Sequence, residues 1–140
     1  MLFMFVDCIV IDRVIISSDL KNLDKVESFI DKVCCLKDVS DDIYGNILMS
    51  CTEAVSNAII HGNHCNTILN VEVLISETVG SLVFTIIDQG VGFDFHSLPD
   101  PTSPENIEKE NGRGIFLIKN LCDEMVIDEP GNVIHITFKL

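Results

Sequence analysis

The chain has 140 residues, 47% of them apolar, and sets 9 Lys and Arg against 22 Asp and Glu for a formal net charge of −13. Its mean hydropathy of +0.36 excludes an intrinsically disordered chain, and its length suits a single domain over residues 1–140 with a real hydrophobic core. The acidic field repels polyanions, so neither nucleic acid nor an acidic membrane face is expected as a partner, and a phosphate ligand has to be held by a divalent metal and backbone N–H groups.

The first sixteen residues are apolar, but Asp7, Asp12 and Arg13 interrupt them, and neither a basic lead nor a small-residue cleavage pattern is present. A signal peptide is therefore not expected, and no run reaches the roughly 18 apolar residues of a membrane span. The six cysteines (Cys8, Cys34, Cys35, Cys51, Cys65, Cys122) include no CxxC pair and read as free thiols in a reducing cytoplasm. Residues 2–16, rich in Val, Ile and Phe, predict one or two strands broken near Asp12. Ser17-Ser18-Asp19 offers helix-capping chemistry, and Leu20, Leu23, Val26, Phe29, Ile30, Val33 and Leu36 predict an amphipathic helix over about 19–36. A second helical pattern runs over about 41–61 and stops at Gly62-Asn63.

The period then changes. Residues 68–76 and 82–87 predict two strands of a hairpin turning through Glu77-Thr78-Val79-Gly80. Residues 88–111 have no period and carry Pro99, Pro101 and Pro104, which reads as a long binding loop. Residues 115–125 predict a third helix, and 126–128 with 133–140 a closing hairpin through Pro130-Gly131. The order ββ-α-α-β-β-loop-α-β-β predicts a two-layer α/β sandwich: a mixed, mostly antiparallel sheet with helices on one face, its other face open to solvent or a partner.

Three clusters carry chemistry. Glu53 and Asn57 lie four residues apart on the second helix, about 400° of rotation, so both project from one side. They fit a base and a hard-metal ligand, although such a pair taken alone is more commonly a solvated polar stripe. Asp88-Gln89-Gly90-Val91-Gly92 follows an apolar strand, where a carboxylate can accept a hydrogen bond from a ligand amine and glycines let backbone approach it; a plain turn reads the same way. Asn111-Gly112-Arg113-Gly114 opens the third helix, where free N–H groups and the positive dipole end favour phosphate, although an isolated GxG is also common in ordinary turns. His61, His64 and Cys65 offer three ligands where structural zinc takes four, and Phe93, Phe95 and Phe116 read as core or lid packing.

Taken in order, CTEAVSNAIIHGN (51–63), IIDQGVGFDF (86–95) and NGRGIFLIKNLCDEM (111–125) resemble the N, G1 and G2 boxes of the superfamily of gyrase, heat-shock chaperone, histidine kinase and mismatch-repair ATPases. Within it the chain is most similar to the anti-sigma-factor serine kinases, from about Arg13 to its end. The resemblance implies a histidine kinase-like ATPase fold binding Mg2+ and ATP. It implies that Asn57 coordinates Mg2+, that Glu53 is the general base, and that Asp88 bonds the adenine amino group. Gly90 and Gly92 would shape the base pocket, Gly112, Arg113 and Gly114 would line the phosphates, and residues 93–111 would form the ATP lid.

The expected activity is transfer of the γ-phosphate of Mg-ATP to a serine of a small anti-sigma-factor antagonist, by a cytoplasmic homodimer that also binds a sigma factor. A histidine kinase carries its phosphoacceptor on a separate helix, and the gyrase and chaperone members need a second, transducing domain that 140 residues do not supply. The alternatives are a nucleotide-responsive anti-sigma binding module with weak or no kinase activity, and a domain that only hydrolyses ATP.

Overall fold

A computed structural model describes residues 8–90, 110–128 and 131–140, with side chains from Arg113 onward in the third helix. The elements in chain order are β1 (Ile9–Ser17), α1 (Leu23–Leu36), α2 (Asp41–Asn57), β2 (Asn70–Thr78), β3 (Ser81–Ile87), α3 (Glu110–Leu121), β4 (Glu124–Asp128) and β5 (Val133–Lys139). A 3-10 turn, Leu20–Asn22, leads into α1, with the Asp19 carboxylate accepting from the Lys21 N–H. A π-helical segment, Ala58–Gly62, continues α2.

The five described strands form one sheet in the order β1-β2-β3-β5-β4. Every pairing among the described strands is antiparallel, in keeping with the expected mostly antiparallel sheet, with no parallel pair among them. Of the one or two N-terminal strands expected, the described residues form one, with a register shift between Val10 and Asp12 in place of a break. Asp12 stays in the strand because its carboxylate accepts from the Arg13 N–H at 2.8 Å and from Lys32 Nζ of α1 at 3.2 Å, contacts that also hold its pKa below the ordinary aspartate range. The β2–β3 hairpin closes through Val79-Gly80, where Gly80 takes the left-handed φ of 76° that the turn requires.

Period-two alternation gives the sheet one apolar face. The registers align Ile16 with Val71, Val73 with Ile86, Ile75 with Phe84, and Phe84 with Ile136, so their side chains share that face. The rings of Phe84 and Phe138 meet edge to face, centroids 5.8 Å apart at 83°. The helices cover this layer in the same lateral order as the strands: α1 against β1, α2 against β3 and β5, and α3 against β4. Val26, Phe29, Ile30 and Val33 recur at helical spacing and are the buried row of α1; Ile47, Cys51, Ala54 and Val55 are that of α2. The result is the expected two-layer α/β architecture. Among the described residues no helix lies on the opposite sheet face, where Ile15 remains half exposed.

Two boundaries move in a way that affects the site. Helix α3 begins at Glu110 and ends at Leu121, where the sequence pattern gives 115–125. Gly112-Arg113-Gly114 therefore lies within the first turns of the helix and not in a loop ahead of it. Met125 belongs to β4 and pairs with Ile136. The rest of the expected lid (93–109) falls outside the described residues.

Candidate nucleotide site

Glu53 and Asn57 occupy the last turns of α2, and α3 crosses them at Gly114. A Cβ on Gly114 would stand 2.9 Å from Glu53 Oε2 and 3.0 Å from Asn57 Nδ2, so the absence of a side chain is what lets the helices close at this point. The Asn57 Nδ2 atom is buried and makes no hydrogen bond among the described residues. A buried amide without a partner costs about 1–3 kcal/mol, a cost that a ligand in contact with the amide would relieve. An amide turned about its last torsion presents oxygen in place of nitrogen, and a carboxylate and a carboxamide oxygen side by side are the donor set Mg2+ prefers. The described part of α3 begins at Glu110, so Gly112 and Arg113 stand near the end of the helix whose dipole is positive. The residues present thus fit a metal-bound phosphate. Arg113 is exposed in this turn.

Asp88 follows the last residue of β3 and is 9% exposed. Its backbone N–H donates to the Asn132 carbonyl at 3.0 Å, its carbonyl accepts from Asn132 Nδ2 at 3.2 Å, and its Oδ1 accepts from the Gly90 N–H at 2.8 Å. Burial pushes its carboxyl above the ordinary range, and the Gly90 N–H works against that shift. Gly62, at the end of the π segment, lies directly on this carboxylate: a Cβ there would come within 2.5 Å of Asp88 Cγ. A Cβ on Gly90 would overlap the Gly62 carbonyl, its carbon only 2.9 Å away. Two glycines therefore clear the approach of two backbones to one carboxylate.

The structure brings Glu53, Asn57 and Gly114 together, and separately Asp88, Gly90 and Gly62. The five-residue π segment joins the two groups, running from the residue after Asn57 to Gly62. Gly112 contributes backbone to the first turn of α3, and Gly92 lies outside the described residues. Sequence reasoning read Gly62 and Asn63 only as a helix stop and gave Asn132 no role. Their placement immediately after the Glu-x3-Asn helix and beside Gly131 was the available signal, but their partners lie far away in the chain. His61, His64 and Cys65 belong to no cluster of three or more His, Cys, Asp or Glu among the described residues. All six cysteines are free, and burial raises the thiol pKa of Cys34 to about 11.

A family model described as the histidine kinase-like ATPase domain matches residues 16–138, which takes in every described element except most of β1 and the last residue of β5. The chain belongs to this family. Its antiparallel sheet under one layer of helices is consistent with that family, and the chain shares sequence with curated relatives. It is 38% identical over 87 residues to the anti-sigma F factor of Geobacillus stearothermophilus, covering 58% of this chain and 57% of that protein. It is 36% identical over 96 residues to the serine-protein kinase RsbW of Staphylococcus aureus, covering 61% and 59%. To the anti-sigma F factor of Bacillus licheniformis it is 37% identical over 93 residues, covering 61% and 62%. The match thus spans less than two thirds of the length of these relatives.

Proposed function

We propose that this histidine kinase-like ATPase domain is an anti-sigma factor with serine kinase activity, transferring the γ-phosphate of Mg-ATP to a serine of a small antagonist protein. The observation that carries the reading is the buried Asn57 Nδ2, without a hydrogen bond among the described residues, packed with Glu53 against Gly114. The names of the relatives, anti-sigma F factor and serine-protein kinase, support it.

In this reading Asp88 accepts a hydrogen bond from the adenine amino group, with Gly90 and Gly92 shaping the base pocket. Asn57 holds Mg2+, and Gly112, Arg113 and Gly114 meet the phosphates. Mg2+, when bound, would supply neutralisation of phosphate charge beyond what Arg113 provides in a domain of net charge −13. Glu53 takes the proton from the acceptor serine hydroxyl. The serine oxygen bonds to the γ-phosphorus as the bond from that phosphorus to its bridging oxygen breaks, and ADP leaves with the bridging electrons. Nearly all of this is positioning, which suits a site built from helix ends and glycines. A sigma factor as second partner makes the working compartment the cytoplasm. The described helices include none long and apolar enough to cross a membrane.

A homodimer is part of the proposal. Strand β1 is a sheet edge whose Ile9 and Val10 are 70% and 58% exposed, an apolar margin that a second copy would cover.

The test is Glu53→Gln. It keeps ATP affinity within about twofold and loses transfer to the antagonist by about 10²–10⁴, the usual worth of a general base. Full phosphorylation by this variant contradicts the base role. A wild-type protein that binds Mg-ATP and the sigma factor but transfers no label is the binding module instead, and one that releases phosphate without labelling a protein is a plain ATPase.

A further inference from the structure

Asn63, the first residue past the π segment, is 1% exposed and almost fully bonded. Its Nδ2 donates to Ser18 Oγ at 2.8 Å and to the Asn70 carbonyl at 3.0 Å, and its Oδ1 accepts from the Gln89 N–H at 2.9 Å. Both side-chain donors and one acceptor site of the amide are thus in use, on partners from three separate stretches of chain. The bond to Gln89 is the informative one, because that N–H belongs to the peptide immediately following Asp88.

The three successive N–H groups of the turn are each held by a different group. That of Asp88 goes to the Asn132 carbonyl, that of Gln89 to Asn63 Oδ1, and that of Gly90 to the carboxylate of Asp88 itself. Of these, the Asn63 bond is the one that comes from the stretch of chain carrying Glu53 and Asn57. It draws the turn onto Gly62, whose missing side chain leaves room for the Asp88 carboxylate. The Asn63 amide is thus one tie between the phosphate end and the base end of the site, beside the packing of Gly62 on Asp88 and the bond from the Asn70 N–H to Gln89 Oε1.

We infer that Asn63 is a positioning residue for base selectivity, fixing the Asp88 carboxylate where it distinguishes a 6-amino purine from a 6-oxo purine. The inference rests on the reading of Asp88 as the adenine contact. An amino group at the 6-position donates to a carboxylate, whereas a carbonyl there places two acceptors face to face, so ATP and GTP differ most when the carboxylate is held still. Loosening the turn weakens the bond to ATP and relaxes the clash with GTP together.

Calorimetric titration of the full chain with Mg-ATP and with Mg-GTP tests this in four proteins. The wild type prefers ATP, and Asp88→Asn collapses the preference. Asn63→Ala lowers the ATP-to-GTP affinity ratio by about tenfold, the worth of one buried hydrogen bond left unmade. Ser18→Ala removes another partner of Asn63 and lowers the melting temperature, but leaves the Gln89 bond in place and keeps the ratio within about twofold. General loss of stability does not move a ratio measured on folded protein, so the comparison isolates positioning. Should Asn63→Ala not fold, Asn63→Ser, too short to reach Gln89, carries the same expectation. An unchanged ratio in the Asn63 variants alongside a collapsed ratio in Asp88→Asn overturns the inference and leaves the adenine contact standing. An unchanged ratio in Asp88→Asn, or a wild type indifferent to the base, overturns both.

Discussion

Gly114→Ala separates stability from function. In a helix, alanine is better than glycine by about 1 kcal/mol, and α3 holds this position in ordinary helical backbone. The new Cβ meets only the far ends of two side chains, Glu53 Oε2 at 2.9 Å and Asn57 Nδ2 at 3.0 Å. To regain the 3.4 Å of ordinary contact, each must retreat by about half an ångström, at a cost of about 0.5–1.5 kcal/mol in rotamer strain. The two terms nearly cancel, so the melting temperature moves by no more than about 4 °C in either direction. Function has no such compensation: a displacement of 1 Å in a transfer site costs about a hundredfold, and half of that about tenfold. The expected result is a normally folded protein with weakened Mg-ATP binding and at least about tenfold slower phosphoryl transfer. Thermal melts by circular dichroism, paired with transfer of labelled phosphate, measure both sides. A variant with an unaltered melt and unaltered transfer refutes the claim that Gly114 leaves space for the working ends of Glu53 and Asn57.

Asn57→Ala removes the buried amide, and with it most of the dependence of ATP affinity on Mg2+. Chelation weakens ATP binding in the wild type by at least about tenfold and changes the variant little, as paired titrations with and without EDTA would show. The Asp88 carboxyl, raised by burial, makes ATP affinity fall on acidification at a pH above the usual aspartate value of about 3.9, and Asp88→Asn abolishes that dependence. The linked stability runs the other way. A carboxyl with a raised folded pKa contributes stability that is full below its unfolded value and is lost as pH rises through the folded one, so acid favours the fold while it weakens the ligand.

The order of the three motifs made the family legible, because each pairs a residue type with an element: carboxylate and amide on a helix face, a carboxylate at a strand end, glycines at a helix start. Boundaries were less legible where tertiary contacts override local preference. Gly112 and Gly114 argue against helix locally, yet α3 runs through them because its close crossing of α2 requires a residue without a side chain at Gly114. Asp12 looked like a strand break because its partner Lys32, 20 residues on, could not be foreseen. Asn63 read as a helix stop, and its second role depends on partners 45, 7 and 26 residues away. A polar residue whose value lies in long-range hydrogen bonds has no local signature.

The structure of the chain with Mg2+ and a non-hydrolysable ATP analogue tests the central claim most directly. The account predicts the adenine amino group within hydrogen-bond distance of the Asp88 carboxylate and the metal-bound phosphates beside Asn57 and the start of α3. A nucleotide bound on the uncovered sheet face, or one whose phosphates lie away from Asn57 and Gly114, contradicts it.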